Sequence, residues 1–164
     1  GCNIESVVIP SNVTSIGNGA FHGCSKLANV TFNGGFVNMG KGVVDGTALY
    51  NNQPEGVVYI GNLLYKYKGT MPENTEIVVN DGTLWIAAYA FNNCSGLTNI
   101  IIPNSVTGIG DDAFYGTAWY DEQPEGIVYA GKVLYKYKGA NINIINILGI
   151  IILEILNMSA LLSS

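Results

Sequence analysis

Apolar and polar positions alternate in short runs along this chain, and one run shows the pattern with particular clarity. Ile100 and Ile102 alternate with Asn99 and Ile101, so the pattern predicts a strand with one buried face. Pro103 follows directly and is expected to end the strand, because proline has no N–H to donate to the next rung of a ladder.

The residues after this strand predict a folded coil. Ile109, Ala113 and Phe114 are expected to fill the interior, and Gly110 to permit a tight corner or a positive φ. A coil of this size buries its apolar face only against neighbouring coils, so stability is shared along the array.

The unit recurs along the chain with a spacing of about 23 residues, which separates Phe91 from Phe114. A longer repeat, shifted by 70 residues, returns the block 46–69 almost unchanged as the block 116–139. Repeat architectures usually present a surface to a partner and only rarely enclose a catalytic pocket.

Each duplicated block predicts a β-hairpin. Residues 57–60 and 63–67 are strand-like and flank Gly61-Asn62, a pair that favours a primed two-residue turn. In the second block Gly131-Lys132 takes this place. The tyrosines of the second strand share one face, expected to pack on the coils, and the alternating lysines are expected to be solvated: Lys66, Lys68, Lys136 and Lys138.

A motif in the first unit carries a family resemblance. Residues 9–27 read Ile-Pro-x-x-Val-Thr-x-Ile-Gly-x-x-Ala-Phe-x-Gly-Cys-Ser-x-Leu, which resembles the BspA-like class of leucine-rich repeats of bacterial and some protozoan surface proteins. The match covers about residues 4–46 and 74–116 and departs at 82–89, where Trp85 stands in an altered sequence. The resemblance implies a solenoid that acts in adhesion, with no catalytic residues to carry over.

The predicted fold is therefore a strand-dominated α/β repeat, a leucine-rich-repeat solenoid with two hairpin insertions. Its domain is expected to span residues 1–139, with coils at about 4–26, 27–46, 74–96 and 97–116 and hairpins at about 47–69 and 117–139. Residues 140–164 form an apolar tail of different composition.

The tail allows three interpretations. A cap (a strand at about 142–147 and a helix at about 150–162) or a degenerate coil would cover the last apolar face; aligning Asn141 with Asn74 supports the coil. A self-association surface through residues 142–162 is the second. A membrane span is the third, although polar residues such as Glu154 interrupt the apolar run that a span requires.

Composition, charge and cysteine content indicate a single domain that is not a nucleic-acid-binding protein. The chain has 164 residues, 12% charged residues, 21 glycines and a formal net charge of −5, so one domain is expected and nucleic acid is an unfavourable partner. Cys24 and Cys94 are too distant to bridge and are interpreted as small buried residues rather than a disulfide framework. Cys2 lies in a similar Gly-Cys-Asn context, which indicates a chain that starts in mid-repeat as a fragment of a longer array.

The sequence contains no recognisable set of catalytic residues. His22 is the only histidine and occupies a repeat corner, so neither a nucleophile–base pair nor a zinc site is indicated. Glu55 and Glu125 recur in Gln-Pro-Glu-Gly turns. The chain is predicted not to be an enzyme and to need no cofactor and no metal.

Two binding hypotheses remain, beside a third in which the chain is a purely structural spacer. A protein ligand would contact the outward side chains of the strands, among them Thr31 and Thr98. A glycan or cell-wall polysaccharide would contact aromatic rings of the insertions, with Trp119, Tyr120 and Tyr50 as candidates. The expected setting is the bacterial cell surface or the extracellular space.

Overall fold

The computed structural model describes residues 2–34 and 38–139. It is a strand-dominated solenoid, as predicted. The strands are β1 Ser6–Ile9, β2 Ser15–Ile16, β3 Asn29–Phe32, β4 Asn38–Met39, β5 Gly56–Ile60, β6 Leu63–Lys68, β7 Thr75–Val78, β8 Trp85–Ile86, β9 Leu97–Ile101, β10 Gly108–Ile109, β11 Gly126–Ala130 and β12 Val133–Lys138. Two one-turn helices, α1 Ala48–Asn51 and α2 Ala118–Asp121, precede the two hairpins.

Parallel strands stack the coils in two ladders. We call the pairs β1–β3 and β7–β9 the front ladder, and the sets β2–β4 and β6–β8–β10 the back ladder. Partners in the front ladder are 23 residues apart, as in Val8 opposite Thr31 and Ile77 opposite Ile100, except that Thr75 lies opposite Leu97 before a register shift. The repeat period seen in the sequence is thus the period of strand pairing.

Inward side chains of successive coils pack together in shared apolar clusters. Met39, Leu64 and Ile86 are almost completely buried along the back ladder. At the corner, the rings of Phe91 and Phe114 stack with centroids 5.7 Å apart and planes at 8°. The core is therefore shared between coils, since no single coil encloses these side chains alone.

The corners are also held by backbone hydrogen bonds between coils. The Phe21 N–H donates to the Val43 carbonyl at 2.9 Å, and the Phe91 N–H donates to the Ala113 carbonyl at 2.7 Å. Gly110 was expected to permit either a tight corner or a positive φ, and it does not have a positive φ. A Cβ at this position would overlap the backbone of Ala88, so Gly110 permits close approach of two coils instead.

The hairpins form as predicted and are also joined to the coils. β5 and β6 pair antiparallel around the two-residue turn, with Ile60 opposite Leu63. β6 additionally pairs in parallel with β8, placing Leu63 opposite Trp85 and Leu64 opposite Ile86. The first hairpin thus occupies the place of a coil in the back ladder rather than lying outside it.

Each one-turn helix depends on a threonine that the sequence analysis did not single out. The Thr47 hydroxyl accepts a hydrogen bond from the Tyr50 N–H at 3.2 Å, and the Thr117 hydroxyl accepts one from the Tyr120 N–H at 3.1 Å. Threonine is a preferred N-cap. The recurring Gly-Thr-Ala triplet therefore predicts the N-termini of these two helices.

The hairpin lysines are not solvated as predicted. Lys68 Nζ donates to the carbonyls of Tyr50, Asn51 and Gln53 at 3.2, 2.7 and 2.5 Å, at the end of α1. Lys138 repeats this arrangement at the end of α2. The ammonium group satisfies carbonyls that a helix end leaves without intrahelical partners.

The interpretation of Cys24 as a free buried thiol is wrong. Cys2 and Cys24 form a disulfide with Cα atoms 4.9 Å apart, because Cys2 occupies the equivalent corner one coil earlier. Cys94 is a free, half-buried cysteine, and burial raises the pKa of its thiol.

The predicted cap, degenerate coil, self-association surface or membrane span of residues 140–164 lies outside the described residues. Within residues 2–34 and 38–139, no helix is both long and apolar enough to cross a membrane.

We predict that Lys68→Met lowers the free energy of unfolding by about 1.5 kcal/mol, because it removes charged hydrogen bonds to three carbonyls. Urea denaturation measures this change. Lys132→Met at the exposed turn of the second hairpin is the control and should change the value by less than about 0.5 kcal/mol. Equal effects of the two variants would contradict the capping role of Lys68.

We also predict that reduction of the Cys2–Cys24 bond lowers the free energy of unfolding by about 3 kcal/mol, because the bond restricts the unfolded chain. Thermal and urea unfolding with and without a reductant measure the difference. A Cys2→Ser variant should start at the lower stability and show no response to the reductant. A reductant response that persists in this variant would assign the effect elsewhere.

Candidate functional site

The front ladder presents a row of outward side chains. Val8 lies opposite Thr31, and Val78 lies opposite Ile101. The three apolar side chains of this row, those of Val8, Val78 and Ile101, are 56%, 67% and 56% exposed. We call the outward side chains of β1, β3, β7 and β9 the front face.

The two predicted threonines differ in their surroundings. Thr31 is exposed on the front face and lines a cleft of about 310 Å³ against Gly61 and Asn62 of the hairpin turn. Thr98 is half-buried, and its hydroxyl donates to the Thr75 carbonyl at 3.3 Å. Thr31 is therefore available to a ligand, whereas the hydroxyl of Thr98 supports the ladder.

The glycan hypothesis requires exposed ring faces at Trp119 and Tyr120, and these are not observed. Both residues are half-buried in α2. The Trp119 ring packs edge-on against Phe114 with centroids 4.8 Å apart, and the Tyr120 ring against Tyr135 at 5.9 Å. The helix α2 also contacts β9. A role of either residue in ligand binding stays a prediction.

Tyr50 lies in α1, in the other half of the chain from Trp119 and Tyr120. Its ring packs edge-on against Tyr65 at 6.0 Å. The ammonium groups of Lys66 and Lys68 lie 5.7 and 5.3 Å from its centroid, within the range of cation–π attraction. Tyr50 also borders a cavity of about 510 Å³, together with Asn93.

The hairpin tyrosines anchor the hairpins to the corners. The Tyr65 hydroxyl accepts a hydrogen bond from the Val44 N–H at 3.2 Å and donates to Asp45 Oδ1 at 3.0 Å. Lys66 Nζ pairs with the same carboxylate at 3.0 Å. Burial, more than any other effect, raises the pKa of Tyr65 well above its usual value.

The second hairpin is anchored in a related way. The Tyr135 hydroxyl accepts from the Phe114 N–H at 3.1 Å, and burial raises the pKa of this tyrosine. Lys136 Nζ lies 2.8 Å from Asp112, and that hydrogen bond raises the lysine pKa. Asp112 does not correspond to Asp45 in the 70-residue repeat, so the two lysines find carboxylates at different corner positions.

A groove around Trp85 is a candidate site that the sequence analysis missed. We call it the Trp85 groove; its volume is about 340 Å³, and its lining includes Ser15, Asn18, Asn38, Lys41, Trp85, Tyr89 and Asp111. The six-membered ring of Trp85 lies over Gly108, where a Cβ would overlap it. The sequence carries one signal for this site, which is the departure of residues 82–89 from the repeat motif. Within that segment Trp85 stands at the ladder position that Gly108 occupies in the next coil.

Polar groups surround the aromatic rings of this groove. The Lys41 ammonium lies 5.1 Å from the Tyr89 ring centroid, and the Lys41 N–H donates to Asn18 Oδ1 at 2.8 Å. Asn38 and Asp111 are exposed. The groove thus combines rings with amide, ammonium and carboxylate groups, a mixture suited to a polar ligand with apolar faces.

No group of three or more histidine, cysteine, aspartate or glutamate side chains within the described ranges is placed to hold a metal ion. His22 is exposed at a corner.

Comparison with known families agrees with the geometry. Residues 1–117 and 58–147 match the BspA type leucine-rich repeat region in six copies. The chain belongs to the BspA-type leucine-rich repeat family. The matched ranges run through both hairpins, which fits the place of β6 in the back ladder. Leucine-rich repeats of this family are generally non-catalytic protein-interaction repeats. No match was found among curated proteins or solved structures.

We predict that the free energy of unfolding falls as the pH rises above about 10, where tyrosines of the unfolded chain begin to ionise. The raised pKa of Tyr65 keeps its folded form protonated, so stability is fully present below this pH and is lost above it. Urea denaturation between pH 8 and 11, roughly the range that brackets this ionisation, measures the slope. Tyr65→Phe should flatten the slope, whereas Tyr115→Phe, an exposed position, should not. Unchanged slopes in both would contradict the assignment.

Proposed function

We propose that this chain is a non-catalytic adhesion module that binds a protein ligand through its front face. One observation carries the proposal. Val78 and Ile101 are direct neighbours in the front ladder and are 67% and 56% exposed. Adjacent apolar side chains exposed on a regular strand surface are typical of an interaction site.

The front face has the composition of a protein interface. Its apolar side chains lie beside exposed polar ones, including Asn29, Thr31, Glu76 and Asn99. Protein interfaces commonly combine an apolar centre with a polar rim. The strands that carry these side chains are fixed by ladder pairing, so binding requires little ordering of the chain and loses little conformational entropy.

The setting we propose is the bacterial cell surface or the extracellular space. The family supports this setting, because BspA-type proteins are typically bacterial surface proteins. The Cys2–Cys24 disulfide also supports it, since structural disulfides persist mainly in oxidising compartments.

Binding to a panel of immobilised matrix proteins tests the proposal. Ile101→Asp and Val78→Asp should each weaken binding to the captured protein at least roughly tenfold, because a charge replaces apolar contact at the centre of the face. Tyr115→Asp is a matched control: Tyr115 is 56% exposed, at a corner away from the front face, and its replacement should leave affinity unchanged.

Stability measurements accompany these binding assays. All three substitutions lie at exposed positions, so the free energy of unfolding should change by less than about 0.5 kcal/mol. Equal loss of binding in all three variants would contradict a role of the front face. If no panel member is bound, the spacer hypothesis is favoured.

The Trp85 groove supports a second candidate function, binding of a neutral glycan. Its aromatic rings and exposed amides would contact the apolar face and the hydroxyl groups of a sugar. The aromatic contact to the sugar would come from Trp85 and not from the insertion residues, since the rings of Trp119 and Tyr120 pack on other rings.

Tryptophan fluorescence tests the glycan hypothesis. The chain has two tryptophans, so a Trp119→Phe variant reports on Trp85 alone. Adding an oligosaccharide that binds the chain should shift this emission. Asn38→Ala should lower the affinity measured from this shift at least roughly fivefold, by removing a polar contact. An unchanged emission under conditions where the oligosaccharide binds would contradict the groove as its site.

A further inference from the structure

We infer that Tyr89 is the central ligand-binding residue of the Trp85 groove, and that the ligand of this groove is a neutral, linear oligosaccharide of several sugar units. This ligand class rests on the glycan binding proposed above for the groove. The basis is a tyrosine held in a backbone conformation that suits glycine, at the place where three depressions of the surface meet.

Tyr89 has a backbone conformation that is unfavourable for a bulky side chain. Its φ is 61°, in the left-handed region where a Cβ is crowded by the backbone. Gly19 and Gly42 take the same corner position in the first two coils, with φ of 62° and 66°. The Gly19 N–H donates to the carbonyl of Lys41 in the next coil at 2.9 Å. The Tyr89 N–H donates in the same way to the Asp111 carbonyl at 3.0 Å, so glycine would serve the fold here with less strain.

The contacts of the Tyr89 ring do not explain why this strain is tolerated. Within the described residues, Tyr89 belongs to neither of the two apolar clusters of the core. The Lys41 ammonium lies 5.1 Å from the ring centroid, but Lys41 is exposed and cation–π attraction is weak at exposed sites. Strained residues of this kind concentrate at sites that bind ligands, which points to a ligand as the partner of the ring.

Tyr89 lines three adjoining depressions. The first is the Trp85 groove. The second, of about 140 Å³, shares Lys41 with the groove and extends to Lys66. The third, of about 320 Å³, shares Asp111 with the groove and extends to Lys136. Because Tyr89 is common to all three, its ring is the central aromatic surface for a ligand that runs through them.

The length of this surface indicates a ligand of several units. The lining of the Trp85 groove includes residues of β2, β4, β8 and β10. Neighbouring strands of a ladder lie about 4.8 Å apart, so four strands span at least about 14 Å. This length exceeds that of one sugar ring, and the other two depressions extend it further.

The charges along the surface are balanced. Lys66 and Lys136 each pair with a carboxylate, at 3.0 and 2.8 Å. The other charged residues of the three linings are Lys41 and Asp111, which have opposite signs. Balanced charge favours a neutral ligand over an anionic one. Aromatic rings beside polar groups suit the apolar faces and the hydroxyl groups of sugars.

Binding of neutral oligosaccharides to the full chain and to a Tyr89→Gly variant tests the role of the ring. The probes are linear oligomers of glucose, mannose and N-acetylglucosamine, each from one to six units long, titrated by calorimetry. Tyr89→Gly should weaken binding of the longest bound probe at least roughly tenfold, because an aromatic contact at the centre of the site is lost. Its urea midpoint should not fall, because glycine adopts a positive φ without strain.

Asn74→Gly is the matched control. Asn74 also has a positive φ, of 58°, and is exposed outside the three depressions, so its replacement should leave the affinity unchanged. Unchanged affinity of Tyr89→Gly would overturn the inference. A lower urea midpoint of Tyr89→Gly would also overturn it, because the ring would then serve the fold.

The dependence of affinity on probe length separates this inference from the proposed glycan binding. Affinity should rise at least roughly tenfold from two units to six, because linked units bind as one ligand. Equal affinity at all lengths, with the Trp85 emission shifted, would overturn the ligand of several units and leave glycan binding in the groove intact. Binding of none of these probes would overturn both.

Discussion

The pairing of each coil with the next at a spacing of 22 or 23 residues is the interaction on which the rest of the structure depends. The same spacing aligns the strands of the front ladder, the hydrogen bonds of the corners and the stacked rings of Phe91 and Phe114. Because a single coil cannot bury its own apolar side chains, these contacts are all made between coils. The surfaces that remain outside, including the front face and the Trp85 groove, are fixed by that pairing.

The duplicated hairpin block is an adaptation to this constraint. A hairpin within an array of coils would interrupt the ladder, but β6 restores it by pairing with β8. The lysines and tyrosines of the block then tie the hairpin to the preceding helix and corner through Lys68 and Tyr65. The near identity of the two blocks is thus explained by architecture, with no need for two copies of a binding site.

Much of the fold follows from sequence because repetition displays the same physical requirement several times. The coil period, the strand faces and the two-residue hairpin turns were predictable in this way. The Cys2–Cys24 bond and the lysine caps were not, because each depends on which corner or carbonyl lies beside a side chain in space. The packing of the Trp119 ring against Phe114 depends in the same way on a neighbour in space. The Trp85 groove is indicated only indirectly, by the departure of residues 82–89 from the repeat motif.

Hydrogen-bond scalar couplings measured by NMR test the pairing of coils most directly. The central claim is that β6 belongs to the ladder. It predicts a coupling between the Ala87 N–H and the Leu64 carbonyl, and another between the Tyr67 N–H and the Ala90 carbonyl. Couplings between β5 and β6 alone, with neither of these two present, would show an isolated hairpin and contradict the account.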